Sequence, residues 1–381
     1  AGDHTPDEVY RNYIQALVGK QENTARSLWW GIEGTKDVYD MNYSPPTSYW
    51  IDRRAIYASW ECIIDVEYLN NSTAVLHIIY QNPDRNLKES PQKWVDYIFQ
   101  TQYTIKRNGS WFLANPPCVF ATDWRTVSSQ HLDIYFPEDR PISKEVIGKI
   151  QQGVERFCAT FHFKPKRRIT FYVCRDANEV QRLSNYGEPY PGRAIQQMDC
   201  VFVAKFDYEY HRTHPRIAQI IFVNTAVHEI IHVLTFQMTG SDFGEDGFLK
   251  EGLAVAFAGG LSPELSMHWA KEAVAEELVE NLADIYSHFY DDPALMNRKY
   301  AVAGSFVRFL LDRYGASHVY SLYSAATSST DFVFLIKKIL SKSVQDVENE
   351  WRSYLESYEP RVDPELLEGQ SLKEIEGRSG Q

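Results

Sequence analysis

Cysteine is scarce: five residues in 381, at positions 62, 118, 158, 174 and 200. No two of them form a C-x-x-C pair, which excludes that type of metal or redox site, and their odd number and wide spacing exclude a dense disulfide framework. Isolated buried thiols are the expectation, with one or two bridges as the alternative. Positive charge is also in deficit, 39 Lys and Arg against 51 Asp and Glu, for a net charge of -12. Nucleic acid is therefore not expected as the main partner, because phosphate binding needs a basic surface. The short basic run Lys164 to Arg168 ("KPKRR") reads as a solvated turn before a strand. Unbroken apolar stretches are missing too. The longest run, around Ile220 to Phe236, is interrupted by Asn224, His228, Glu229 and His232, so no membrane span is expected. The G-x-S-x-G elbow, the P-loop and the G-x-G-x-x-G fingerprint do not occur, which leaves serine-hydrolase and nucleotide-binding readings without support.

What the chain does have is length and rings. At 381 residues, two domains or one elaborated domain are expected. The 24 Tyr, 20 Phe and 9 Trp favour large buried side chains. The chain begins at Ala1 rather than Met, and the corresponding expectation is an exported protein, secreted or periplasmic, freed of a leader peptide.

The texture changes along the chain. "TPDE" at Thr5 to Glu8 has the makings of a capping box, with Pro6 in the first turn, and apolar residues at Tyr10, Tyr13, Ile14 and Leu17 continue a helix. From Trp60 onward "WECIIDVEYL", "TAVLHIIYQ", "WVDYIFQTQYTIKR" and "SWFLANP" are rich in β-branched and aromatic residues, with Asn-Asn-Ser and Asn-Gly-Ser turns between some of them. A helix followed by an antiparallel meander is expected over residues 1–125. In element order it is similar to the cone-shaped cystatin-like or nuclear-transport-factor-like folds.

A second domain is expected over 128–360. "HLDIYF", "RITFYVC" and "CVFVAKF" read as strands, Ile142 to Phe157 and "ANEVQRLS" as helices. Beyond Glu251 the pattern is helical: Pro263 to His288, Ala301 to Arg313 ending at Gly315, and Ser343 to Tyr358. Residues 361–381 form a charged tail, expected to be loosely held. The fold class is thus α+β in two domains with a mostly helical end.

The chemistry concentrates in one stretch, "AVHEIIHVLTFQMTGSDFGEDGFLKEGLAVAF", residues 226 to 257. His228 and His232 lie four apart, so on a helix both imidazoles leave the same face and can share one tetrahedral Zn²⁺. Glu229 lies between them, where a carboxylate can serve as general base. A histidine pair in so apolar a helix is costly to bury unless something coordinates it. After eighteen residues, 233 to 250, comes Glu251 in the helical segment "FLKEGLAVAF". Two histidines and one carboxylate leave a fourth position open, the arrangement of a catalytic rather than a structural zinc site. A solvated Glu251 is the alternative, with Glu245 and Asp246 as rival ligands. His211 and His214 in "EYHRTHPR" could suggest a second metal, but Pro215 follows at once, and a loop near the site is the plainer reading.

The run His228-Glu229-x-x-His232, eighteen residues, then Glu251-Gly252-Leu253-Ala254, resembles the gluzincin metallopeptidases of the peptidase MA group, and most of all the aminopeptidase branch related to the leukotriene hydrolases. The resemblance spans about residues 128 to 358 and implies a zincin-like domain that hydrolyses peptide bonds in a peptide or protein substrate, using water activated by Glu229. It implies one Zn²⁺ on His228, His232 and Glu251, and a tyrosine at the start of a later helix that steadies the oxyanion. Tyr300 stands at that position, with a buried or capping aromatic as its other reading. "CVFVAKF" is the strand expected to pair with an extended peptide by edge addition. Two features depart from the pattern. An acidic residue four positions after the third ligand is replaced by Val255, and the Gly-x-Met-Glu-Asn strand that grips a free amino terminus has only "IQQMDC" as a counterpart, with Asp199 either an amine anchor or part of a surface turn. A catalytically silent zincin-fold binding protein, with ligand or partner binding by the N-terminal domain, is the alternative function.

Overall fold

The computed structural model describes residues 4–30, 60–81, 97–185, 188–205, 215–240, 247–258, 263–279, 281–326 and 331–359. The rival ligands Glu245 and Asp246, the pair His211 and His214, and the tail 361–381 lie outside the described residues. The fold is α+β, with an antiparallel sheet in the N-terminal half and a helical C-terminal half. The chain divides into two compact units, one of residues 1–124 and 181–189, the other of 125–180 and 190–381.

The first unit opens with helices α1 (Pro6–Val18) and α2 (Glu22–Ser27). At the start of α1 the Glu8 carboxylate reaches back to the Thr5 N–H at 2.8 Å, and this bond holds its pKa below the ordinary value. Strands β1 (Glu61–Asn70), β2 (Thr73–Gln81), β3 (Tyr97–Arg107) and β4 (Ser110–Ala114) follow as an antiparallel meander in sequence order, and a short helix α3 (Pro117–Phe120) comes next. Asn108 and Gly109 both take positive φ, 51° and 85°, as a two-residue hairpin turn requires. Helix α1 presents Val9, Tyr10, Tyr13 and Leu17 to Leu76, Ile78 and Tyr80 of β2. The Tyr10 and Tyr80 hydroxyls meet at 2.7 Å inside that layer, so the polar tips of two buried rings satisfy each other.

The second unit contains β5 (Arg125–Ser128), β6 (Leu132–Phe136), α4 (Lys144–Thr160), β7 (Ile169–Cys174), β8 (Gly192–Ile195) and β9 (Cys200–Ala204). Helix α5 (Ala177–Ser184) straddles the division between the units. The sheet order is β5-β6-β7-β9-β8; β6, β7 and β9 run parallel, and β5 and β8 pair antiparallel at the edges. The strand "CVFVA" is therefore not an edge, contrary to the sequence expectation. Hydrogen-bonded neighbours flank it on both sides and all five residues are buried, which is why it reads as a continuous apolar run. The edge position belongs to β8, whose four residues "GRAI" are too short and too mixed for a sequence reading to detect.

Eight helices complete the described residues of this unit: α6 (Pro215–Thr239), α7 (Gly247–Ala258), α8 (Pro263–Ala275), α9 (Leu282–Ser287), α10 (Met296–Tyr314), α11 (Ala316–Ala325), α12 (Phe332–Leu340) and α13 (Val344–Ser357). The single helix expected from Pro263 to His288 is two: Glu277 adopts a left-handed φ of 54°, and Asn281 restarts the helix by accepting the Asp284 N–H. Ser143 and Ser343 cap α4 and α13 in the same way, and α10 stops at Gly315, φ 83°. Helix α6 has apolar residues on several faces, which marks a helix buried on several sides. It is long and apolar enough to cross a membrane, and 56% of its most apolar window is covered within the protein, as for a core helix. Gly153 of α4 lets Val227 approach so closely that a Cβ there would stand 2.6 Å from a valine methyl.

The tightest crossing is between α7 and α10. A Cβ on Gly252 would lie 2.8 Å from the Ala303 carbonyl oxygen, and one on Gly304 would lie 2.3 Å from a Val255 methyl. Backbone meets backbone there, and Trp351 of α13 locks α10 behind it by donating from its indole nitrogen to Ser305 at 3.2 Å. All five cysteines are free. Burial pushes the Cys158 thiol up to about 11.

Two measurements follow from this packing. Gly304→Ala should lower unfolding stability by about 1–3 kcal/mol through overpacking, read from the urea midpoint, and Val255→Ala in the same chain should recover part of the loss. At pH 8 about one Cys158 thiol in a thousand is ionised, so iodoacetamide should alkylate it far more slowly in the folded protein than in the same protein unfolded in urea.

Candidate metal centre

Helix α6 carries His228 and His232 one turn apart, facing the same way, and their Nε2 atoms lie 3.1 Å from each other. Glu251 of α7 points its Oε2 at both, 3.0 Å from His228 Nε2 and 3.3 Å from His232 Nε2. The three side chains from two helices thus converge on one point, as the motif spacing led one to expect. His232 and Glu251 are buried and His228 is partly so. Among the described residues no lysine or arginine pairs with Glu251, so its charge is met by the two rings. Burial alone would raise the Glu251 carboxyl, but His232 and His228 hold it well below the usual carboxylate range. Burial alone would likewise lower the His228 ring, and Glu251 outweighs it and holds the ring above its ordinary value.

Helix α7 can bring Glu251 this close because Gly252, the next residue, accepts the α10 backbone against it. The Tyr323 hydroxyl fastens the first turn of α7 through the Leu249 carbonyl. The donor set itself is suited to a metal ion. Two imidazoles and a carboxylate are the ligand types zinc prefers, and edges of 3.0 to 3.3 Å approach the roughly 3.3 Å separation of ligand atoms in a tetrahedron with bonds of about 2.0–2.1 Å.

Three further groups surround the cluster. Glu229 follows His228 on α6, is partly exposed, and makes no hydrogen bond among the described residues. Its side chain lies against β8: a Cβ on Gly192 would meet Glu229 Cγ and Oε1 at 2.9 Å. Tyr300 sits in the early part of α10, its ring centroid 6.3 Å from that of His228. Burial and the nearby Glu251 carboxylate push its phenol well above the ordinary value, so it is present as a proton-bearing donor. Its hydroxyl also makes no hydrogen bond among the described residues. Tyr290, which sequence reasoning missed, places its hydroxyl 3.5 Å from Glu251 Oε1. Its segment "HFYDDP" has no periodicity or motif, and only the folded chain brings it to the site.

A model of the Peptidase MA superfamily matches residues 150–357, more than half of the chain. The chain belongs to that superfamily. The matched range takes in every residue of the cluster and its surroundings just described, from Gly192 to Tyr323. No curated protein matches the chain.

Asp199, expected as a substrate anchor or a surface turn, is neither. It is fully buried in a left-handed conformation, φ 53°, and both its oxygens are held by the Arg167 guanidinium, with Gln237 of α6 donating at 2.9 Å. It ties the end of α6 to the start of β9. Asp199→Ala removes the buried acceptor of the Arg167 guanidinium and one of the bonds of Gln237 and should cost about 1–3 kcal/mol, measured by denaturant unfolding of the metal-free protein.

Proposed function

We propose that this Peptidase MA protein is a zinc metallopeptidase of the gluzincin type, acting on a peptide or protein substrate. The reading rests above all on the combination of a largely buried His-His-Glu cluster with a carboxylate beside it that has no partner among the described residues. We read the second unit as zincin-like, on the match to the superfamily and the two-helix origin of the cluster, and the N-terminal unit as a cone of the cystatin or nuclear-transport-factor type, on its helix-plus-meander order.

His228, His232 and Glu251 would hold the ion. Zinc, when bound, supplies a Lewis acid that polarises a carbonyl and makes water easier to deprotonate. The chain's own groups divide the remaining work. Among the described residues Glu229 has no partner competing for its oxygens, so it can take a proton from the attacking water as the new C–O bond forms. It then returns that proton to the amine nitrogen as the C–N bond breaks. Tyr300 keeps its phenolic proton and donates a hydrogen bond to the carbonyl oxygen as negative charge develops there. The outer edge of β8, whose Gly192 rests on Glu229, offers backbone N–H and C=O groups to which an extended peptide can add as a further strand. Glu229 also weighs against a silent binding protein, because holding a metal requires no free carboxylate at its side.

Metal analysis of purified wild type, Glu229→Gln and His232→Ala decides the assignment. One zinc per chain is expected in wild type and Glu229→Gln, and loss in His232→Ala; equal metal content in all three rejects it. Against a peptide library both variants should be inactive, with Tyr300→Phe slowed by about 10²- to 10³-fold in kcat. Gly192→Ala should retain the zinc and yet lose turnover, because the added methyl displaces Glu229.

A further inference from the structure

The histidines of the cluster have no hydrogen-bond partner at Nδ1 among the described residues, and Val255 stands where the resemblance calls for an orienting acid. Support reaches the cluster from the other side, through Glu251. Its Oε2 is taken by the two imidazoles, and the group facing its Oε1 is the Tyr290 hydroxyl at 3.5 Å. This distance is long for an O–H···O bond, as such contacts often are before a site is loaded.

The seat of Tyr290 is built by several residues. Gly247, at the start of α7, has no side chain, and a Cβ there would stand 2.4 Å from the Tyr290 ring and 2.6 Å from that of Phe289. Phe289 is buried and meets Tyr290 edge to face, with ring centroids 5.1 Å apart. The segment is pinned to α10 by Lys299, a buried lysine whose Nζ donates to the His288 carbonyl at 2.6 Å. A half-exposed tyrosine in so specific a seat, with its polar end over a buried carboxylate, is placed for that carboxylate.

We propose that Tyr290 is a positioning residue for Glu251: by donating to Oε1 it fixes the carboxylate plane so that Oε2 faces the histidine pair. The proposal rests on the reading of His228, His232 and Glu251 as metal ligands. Loss of an outer-shell hydrogen bond of this kind typically weakens metal affinity by about 10- to 100-fold.

The test uses the full chain and Zn²⁺ alone, in competition with a chromogenic chelator, on wild type, Tyr290→Phe, Tyr290→Leu and His232→Ala. Tyr290→Phe keeps the ring and removes only the hydroxyl. Its Zn²⁺ dissociation constant should rise about 10-fold or more, with the melting temperature of the metal-free protein unchanged and the visible spectrum of the Co²⁺-loaded form altered. Affinity within about twofold of wild type in Tyr290→Phe, beside loss in His232→Ala, overturns the proposal and leaves the ligand reading intact. A loss seen only in Tyr290→Leu assigns the effect to ring packing and also overturns it. Failure of the wild type to take up Zn²⁺ removes the ligand reading, and the proposal with it.

Discussion

A carboxylate buried against two imidazoles constrains everything around it. Among the described residues no lysine or arginine pairs with Glu251, and an isolated charge in such a place would be expensive. The two rings, and any cation they share with it, are what make the burial tolerable. The surrounding structure has to hold α6 and α7 in register to within a fraction of an ångström, or the charge is left unmet.

The fold meets that demand by close backbone packing. Gly153 lets α4 seat α6 through Val227, Gly252 lets the α10 backbone approach α7 at Ala303, and Gly304 makes room for Val255 of α7. Asp199 adds a polar tie one turn beyond His232, through Gln237. Interiors packed this densely transmit displacement rather than absorb it, so residues remote from the cluster set its geometry. Beside the cluster Tyr290 is half-exposed, and Glu229 and Tyr300 are partly buried. The chain belongs to the Peptidase MA superfamily, and beside its His-His-Glu cluster Glu229 and the Tyr300 hydroxyl have no side-chain hydrogen-bond partner among the described residues.

Much of the site was legible in the chain because it is local. Two histidines four apart on an apolar helix must share a face, whatever the rest of the protein does. Glu251 was legible at one remove, since a second helical segment after a polar connection is able to return to the first. Gly192, Tyr290 and the true place of Asp199 were not legible. Gly192 lies on a four-residue strand that takes its identity from pairing with β9, Tyr290 in a segment without periodicity, and Asp199 in a turn whose burial depends on Arg167 arriving from another element. The break near Glu277 was hidden for a similar reason: apolar spacing continues through it, and only backbone conformation interrupts the helix.

Sequence alone determined the α+β character, the capped start of the first helix and the identity of the three converging side chains, because these follow from propensity, periodicity and spacing along one or two elements. Tertiary structure decided which strands lie at the sheet edges, which carboxylate beside the cluster has no partner among the described residues and which tyrosine faces Glu251. Those outcomes depend on contacts between residues distant in the chain, and no pattern within a single segment encodes the separation of atoms that meet only when helices and sheet pack.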